Sequence, residues 1–277
     1  MEGARYLMKD KNMSQDRKKY LQKQMQNKIL VVSVQILLVV GLIITWEILA
    51  NAKIIDSFIM SQPSRIWNTL VNLSSNGLLE HIGITCFETI IGFISGAILG
   101  SIISIILWWS KFLSRVFDPF LVVLNSLPKT ALGPVIIVWV GAGMPAIIVM
   151  GLAISLIVTI MEISNGFKNT NKEKIKMAES FNASKIQVLT KIVIPANIST
   201  FINSLKINIG LSLVGVITGE FLVSKGGLGY LIVYGGQVFK LDLVMASVFI
   251  LAILATLLYQ SVTLLEKAFI KTKEIRE

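Results

Sequence analysis

Apolar residues along this chain come in long blocks separated by short polar stretches. The stretch 29–49 (ILVVSVQILLVVGLIITWEIL) holds one charged residue, Glu47. Residues 84–109 hold one, Glu88, and residues 243–265 hold none. A helix needs roughly 20 apolar residues to cross a hydrocarbon core about 30 Å thick, so each block is long enough to span a bilayer. Six spans fit: 29–49, 84–109, 117–140, 145–164, 196–222 and 243–265. The third is interrupted by Pro128 and Pro134, and the fifth carries Lys206 and Glu220. The pattern predicts an all-α integral membrane protein with six transmembrane helices.

Composition agrees, since 54% of the 277 residues are hydrophobic and 15% are charged, too few charges for the surface of a soluble domain. The net charge of +10 would suit a nucleic-acid binder if it were clustered. It is distributed by topology instead. Lys and Arg concentrate on the cytoplasmic side of membrane proteins. On one side here lie Arg5, Lys9, Lys11, Arg17, Lys18, Lys19, Lys23 and Lys28, then Lys111 and Arg115. Lys168, Lys172, Lys174, Lys176, Lys185 and Lys191 follow, then Lys267, Lys271, Lys273 and Arg276. Only Lys53, Arg65, Lys225 and Lys240 lie on the other. Both termini are therefore expected in the cytoplasm, with 1–28 and 268–277 as tails, and no nucleic-acid partner is needed. The stretch 1–28 is too long and too charged for a cleaved signal peptide. The single cysteine, Cys86, lies in an apolar block and reads as a packing residue.

Gly92, Gly96 and Gly100 recur every four residues and are followed by Ser104. That spacing puts them on one helix face, where small residues let another backbone approach. Between the fourth and fifth spans, residues 168–195 are polar and helical in pattern. Ser184 and Gln187 form an S-x-x-Q capping box that would start a short helix at Lys185. Asn182 suits the left-handed end of a preceding helix, and Pro195 should push Ile194 away from helical dihedrals. The result is a helix–turn–helix with Met177, Phe181, Ile186 and Leu189 available for docking; an inert basic loop is the alternative that periodicity leaves open.

The run from Lys176, Met177, Ala178, Glu179, Ser180, Phe181 and Asn182 through Ala183 and Ser184 to Ile192, Ile194 and Pro195 resembles a known signature. It is the E-A-A-x3-G-x9-I-x-L-P loop of binding-protein-dependent ABC transporter permeases, with Lys176, Met177 and Asn182 departing from the pattern. Residues 60–267 are similar to the nitrate/sulfonate/taurine (bicarbonate) group of that family. The resemblance rests on Gln62-Pro63-Ser64, Asp118-Pro119, Leu127-Pro128, Ala131, Pro134, Trp139, Gly141 and Gly143, and on Gly219-Glu220-Phe221-Leu222 running into Gly226-Gly227-Leu228-Gly229-Tyr230-Leu231. Glu88 stands where the group leads one to expect arginine. The resemblance implies a type I ABC importer permease whose loop is a coupling helix docking on a separate ATPase dimer, which would hold the ATP and Mg. It further implies an extracytoplasmic substrate-binding protein, a second permease copy or close paralogue, and a bacterial cytoplasmic (inner) membrane. A sulfonate, nitrate or taurine-like anion is the expected cargo, with a vitamin precursor or other small organic solute as the alternative.

Charged groups inside a bilayer are costly and usually face protein or water. Asn125, Ser126 and Lys129 lie in the proline-bracketed stretch, where non-helical backbone is tolerated if it lines a cavity or is buried. With Asn208 and Glu220 they are the candidate pathway residues. Lys206 could snorkel to the surface, and Glu220 could instead pair with Lys225 or brace the Gly-rich turn. No phosphate-binding Gly-Lys-Ser/Thr loop, metal-ligand spacing or hydrolase motif occurs, and the one histidine, His81, reads as incidental. A non-enzymatic subunit without a cofactor or metal of its own is expected. An ion-driven secondary transporter is the rival, and it predicts a second copy of the 125–134 break in an inverted repeat. A membrane enzyme is the other.

Overall fold

A computed structural model describes residues 15–74 and 77–274. Arg5, Lys9, Lys11 and Arg276, counted in the charge asymmetry, lie outside the described residues. The chain divides into two units, residues 1–68 and 69–277.

In the first unit, α1 runs over Gln15–Asn51 and is followed by the single turn α2, Ser57–Met60. Helix therefore extends into the expected polar tail. Residues 15–28 are rich in Gln, Lys and Arg and free of Gly and Pro, a composition with high helix propensity. Its apolar part carries exposed leucines, Leu37 and Leu42 both at 71%. At its end the Glu47 carboxylate accepts from the Ser64 backbone N–H at 3.0 Å and its hydroxyl at 2.9 Å. That fixes the corner from which α3, Pro63–Ser74, starts, with proline in the first turn where its missing N–H costs nothing.

The second unit contains α4, Leu78–Trp109, then α5, Lys111–Ser126, a 3₁₀ turn at Lys129–Leu132 and α6, Gly133–Val140. After α7, Met144–Lys168, come the short α8, Lys172–Ser180, and α9, Lys185–Val188. A π-type turn at Leu189–Val193 and α10, Ile194–Ala196, lead into α11, Ile198–Val223. Two more helices, α12 (Leu228–Gln237) and α13 (Leu241–Glu274), complete it. Among the described residues no strand forms. Among the described residues five helices are long and apolar enough to cross a membrane, and α5 with α6 makes a sixth span if the bent pair counts as one.

Small residues decide how the central helices pack. α7 lies between α4 and α11. Gly92, Gly96 and Gly100 are buried and face α7 opposite Ile148, Ser155 and Thr159, where a Cβ at Gly100 would come 2.6 Å from the Thr159 methyl. Ser104 continues the stripe and donates to the Gly100 and Ile160 carbonyls. The α7–α11 crossing is closer still. A Cβ on Gly215 would sit 2.7 Å from Gly151 Cα and 2.8 Å from the Met150 carbonyl oxygen, so backbone meets backbone. Lipid tails are as apolar as leucine, so such contacts gain their energy from close packing rather than from exclusion of water.

The third span breaks at one proline only. Leu127 is extended (φ −68°, ψ 140°) ahead of Pro128, as the ring of the following proline requires. The helices on either side of it meet at 92°. Pro134, expected to interrupt, instead begins α6, in the first turn where no intrahelical N–H is needed.

Candidate functional site

The polar loop after α7 folds into a compact unit built by its own caps. Asn171 opens α8, its side chain accepting from the N–H groups of Glu173 and Lys174. α8 ends in a Schellman turn: Asn182 has φ 55°, its N–H donates to Glu179 O, and Ala183 N–H donates to Ala178 O. The capping box then forms in full, with Gln187 N–H donating to Ser184 Oγ and Ser184 N–H to Gln187 Oε1. Two orphan donors of a very short helix are thereby satisfied.

One face of this unit is buried and the other is bare. Val188, Leu189 and Val193 form a cluster with Ile163 and Phe167 of α7, and Ile175, Ala178, Ala183 and Phe201 pack against it. Met177, Phe181 and Ile186 are 59%, 81% and 61% exposed. Leu189 therefore belongs to the anchor and not, as its place in the pattern suggests, to the docking face. Ala178 also faces inward. The expected kink before Pro195 is absent, since Ile194 is helical (φ −61°, ψ −50°). The π-type turn sends the Ile194 N–H to Leu189 O, and this wider turn admits a proline ring that a regular turn would reject. The chain breaks two residues later, at Asn197 (φ −108°, ψ 12°). There a buried side-chain amide donates to Thr170 Oγ1 and to Val193 O, both at 2.8 Å, tying the loop's entry to its exit.

At the opposite end of α11 three successive N–H groups open α12 in a buried setting, where a helix start must find acceptors. Gly227 N–H donates to His81 Nδ1 at 3.0 Å, Leu228 N–H to Thr85 Oγ1 at 2.8 Å, and Gly229 N–H to Glu220 Oε2 at 2.5 Å. Thr85 in turn donates to Glu220 Oε1 at 2.6 Å. Gly227 has φ 99°, and a Cβ there would collide with the Glu220 carboxyl group, so the motif's glycine is required twice over. His81 is thus a structural acceptor, not an incidental surface group. Glu220 is 1% exposed and braces the Gly-rich turn, rather than pairing with Lys225 or facing an open path.

A model of the binding-protein-dependent transport system inner membrane component matches residues 89–272, more than half of the chain. The chain belongs to that family. This permease is 30% identical over 235 residues to the "Probable ABC transporter permease protein" of Haemophilus influenzae, covering 84% of the chain and 96% of that relative. It is 26% identical to the formylaminopyrimidine transport permease protein ThiX of Halalkalibacterium halodurans, covering 81% and 90%. It is 23% identical to the taurine transport system permease protein TauC of Escherichia coli, covering 78% and 81%. In fold it is similar to a chain of the MetNI methionine ABC transporter, at a TM-score of 0.62 and 18% identity over 69% of this chain and 95% of that one.

The other candidate pathway residues of the permease fall in two places. Asn125 and Ser126 are exposed at the end of α5. Lys129 is half-buried, its Nζ donating to Asn125 O at 3.2 Å and Asn125 Oδ1 at 3.0 Å, both neutral acceptors. Asn208 is fully buried in α11, donating to Ser204 Oγ at 2.9 Å and leaving its own carbonyl oxygen without a partner. It faces protein, not an open channel. Lys206 does not snorkel: it forms a 2.5 Å ion pair with Glu266 of α13. Glu88 is 1% exposed beside Glu220, so two acids meet at a place where the family resemblance leads one to expect arginine at position 88. Among the described residues no group of His, Cys, Asp and Glu could hold a metal ion.

Proposed function

We propose that this permease imports a small solute by alternating access, driven by a separate ATPase dimer gripping the exposed face of the α8–α9 unit. It performs no covalent chemistry itself, and ATP and Mg belong to the partner. The observation that carries this reading is the division of that unit into a bare apolar face, Met177, Phe181 and Ile186, and a buried anchor shared with α7 and α11. A force on the bare face reaches two spans through packed side chains, because interiors packed at native density have low compressibility and transmit strain. The basic excess on the same side supports a cytoplasmic position for that face and for both termini, in a bacterial inner membrane. A second copy of the chain and an extracytoplasmic binding protein complete the assembly. Lys176, Glu179, Ser180, Asn182, Ala183, Ser184, Ile192, Ile194 and Pro195 serve as framework for the docking residues.

The decisive experiment is Phe181→Asp in the assembled transporter. Loss of ATPase association and of ATP-dependent uptake, with thermal stability unchanged, is the expected result. Survival of both would refute the coupling assignment. Uptake that survives ATP depletion but collapses with the ion gradient would refute it in favour of a secondary transporter.

For cargo, the reading is a small anion such as a sulfonate, nitrate or taurine-like solute. Its support is the similarity to the taurine permease and the Lys129 cation at the third-span break, which is held by neutral acceptors alone. Asn125 and Ser126 would line the path beside it. The greater identity to the formylaminopyrimidine permease favours a second reading, a vitamin precursor. Calorimetric binding of taurine, alkanesulfonates, nitrate and aminopyrimidines to the cognate binding protein separates the two.

A further inference from the structure

A cavity of about 800 Å³ opens between the ends of α4, α5 and α7 and the inner side of the α8–α9 unit. Six cationic side chains line it, Lys111, Arg115, Lys168, Lys172, Lys176 and Lys185, against two acidic ones, Asp118 and Glu179. Two of the six are engaged. Lys168 pairs with Asp118 at 2.7 Å, and Lys185 donates to the Trp109 carbonyl while lying 4.9 Å over its ring. Lys111, Arg115, Lys172 and Lys176 have no side-chain partner among the described residues. Clustered like charges on low-dielectric walls focus a field that attracts a counter-ion of opposite sign.

Ser164 supplies an independent pointer. It is 5% exposed, lines the same cavity, and its Oγ has no hydrogen-bond partner. A buried hydroxyl without a partner is costly, and a hydroxyl donor behind a ring of cations complements a phosphate oxygen. The surroundings indicate where the phosphate comes from. Phe112, Val116 and Phe120, four residues apart on α5, are 73%, 39% and 61% exposed and do not line the cavity. Trp109, at the end of α4, is 41% exposed. Tryptophan at a span end marks the headgroup level, and a helix basic on one face and aromatic on another suits the boundary between headgroup and acyl chain.

We infer that this cavity binds the phosphate of an anionic phospholipid, with the acyl chains lying along the Phe112–Phe120 face of α5. The lipid phosphate bridges Lys111 and Arg115 of α5 to Lys172 and Lys176 of α8, tying the coupling unit to the bent span. The leaflet on this basic side is the one whose anionic lipids attract basic segments next to the membrane. Lipid held here is independent of which cargo the permease carries.

The test is native mass spectrometry of the full chain released from nanodiscs holding equal amounts of phosphatidylglycerol and phosphatidylcholine. The wild type should retain phosphatidylglycerol selectively. Each cation near the surface is worth about fivefold in such binding, so K111Q/R115Q should lower retention by at least about tenfold. Ser164→Ala should lower it by a smaller factor. Lys225→Gln, which removes a cation outside the cavity, should leave retention unchanged and so controls for net charge. Equal retention of both lipids, or undiminished selectivity in K111Q/R115Q, would overturn the inference. Inorganic phosphate that binds in pure phosphatidylcholine discs and fully displaces phosphatidylglycerol would overturn the lipid as its source.

Discussion

The two ends of α11 solve the same problem by opposite means. Each joins the span to a short helix, and each must hold that helix in one place. At the α8–α9 end the holding is mostly apolar, through Val188, Leu189 and Val193 against Ile163 and Phe167. At the α12 end it is mostly polar, through Glu220, Thr85 and His81 on the first N–H groups of α12. Apolar contact is non-directional and roughly proportional to buried area, so the first joint can shift slightly and keep most of its energy. Hydrogen bonds in a low-dielectric interior demand particular geometry and are expensive to leave unmade. The α12 joint is therefore the end pinned by geometry, and the α8–α9 joint is the more tolerant of small shifts.

Substitutions can break or sharpen that contrast. The largest effect is expected between the two ends, at the crossing itself. Gly215→Leu would drive a side chain into the backbone at Met150 and Gly151, exceeding the roughly 1–3 kcal/mol of ordinary overpacking. No monodisperse protein should survive size-exclusion chromatography in mild detergent. At the pinned end, Glu220→Leu strands the Thr85 hydroxyl and the Gly229 N–H, at about 1–3 kcal/mol for each buried group. Glu220→Gln restores one acceptor and should recover about half of the loss in a denaturant titration. A null result for both would mean that the polar joint holds nothing.

At the other joint, Leu189→Ala removes an anchor side chain and should cost about 2–5 kcal/mol, weakening uptake through instability of the fold. Asn182→Ala places a Cβ-bearing residue without a helpful side chain at φ 55°. It should lower stability by about 1–2 kcal/mol, measured as a lower thermal midpoint. Phe181→Asp changes an exposed residue and should move stability by less than about 0.5 kcal/mol while abolishing uptake. If Phe181→Asp and Leu189→Ala lower stability equally, the division between bare face and anchor is mistaken.

Much of this was legible along the chain. The capping box at Ser184 and Gln187, the left-handed Asn182 and the small-residue stripe at Gly92, Gly96 and Gly100 are local patterns, set by neighbours within one or two helical turns. What misled was long-range. Leu189 matches the spacing of Met177, Phe181 and Ile186, yet faces inward because Phe167 and Ile163 lie beneath it. Pro195 carries a strong local signal for a break, but a π-type turn just before it absorbs the ring. Gly151 and Gly215 give no three-fold repeat to notice, although they make the closest crossing. Lys206 looked like a surface-seeking cation because Glu266 lies sixty residues away in the chain.

Hydropathy and motif resemblance were thus enough for an all-helical membrane chain, its family and the place of its capped polar loop, because each is a property of composition or of residues close in sequence. The tertiary structure alone decided which face of that loop is bare and that Glu220 is spent on bracing a turn. It alone gathered six cations and an unpartnered serine around one cavity. Those outcomes depend on which side chains meet across helices, and a one-dimensional pattern carries the period of a face but not the identity of what lies opposite.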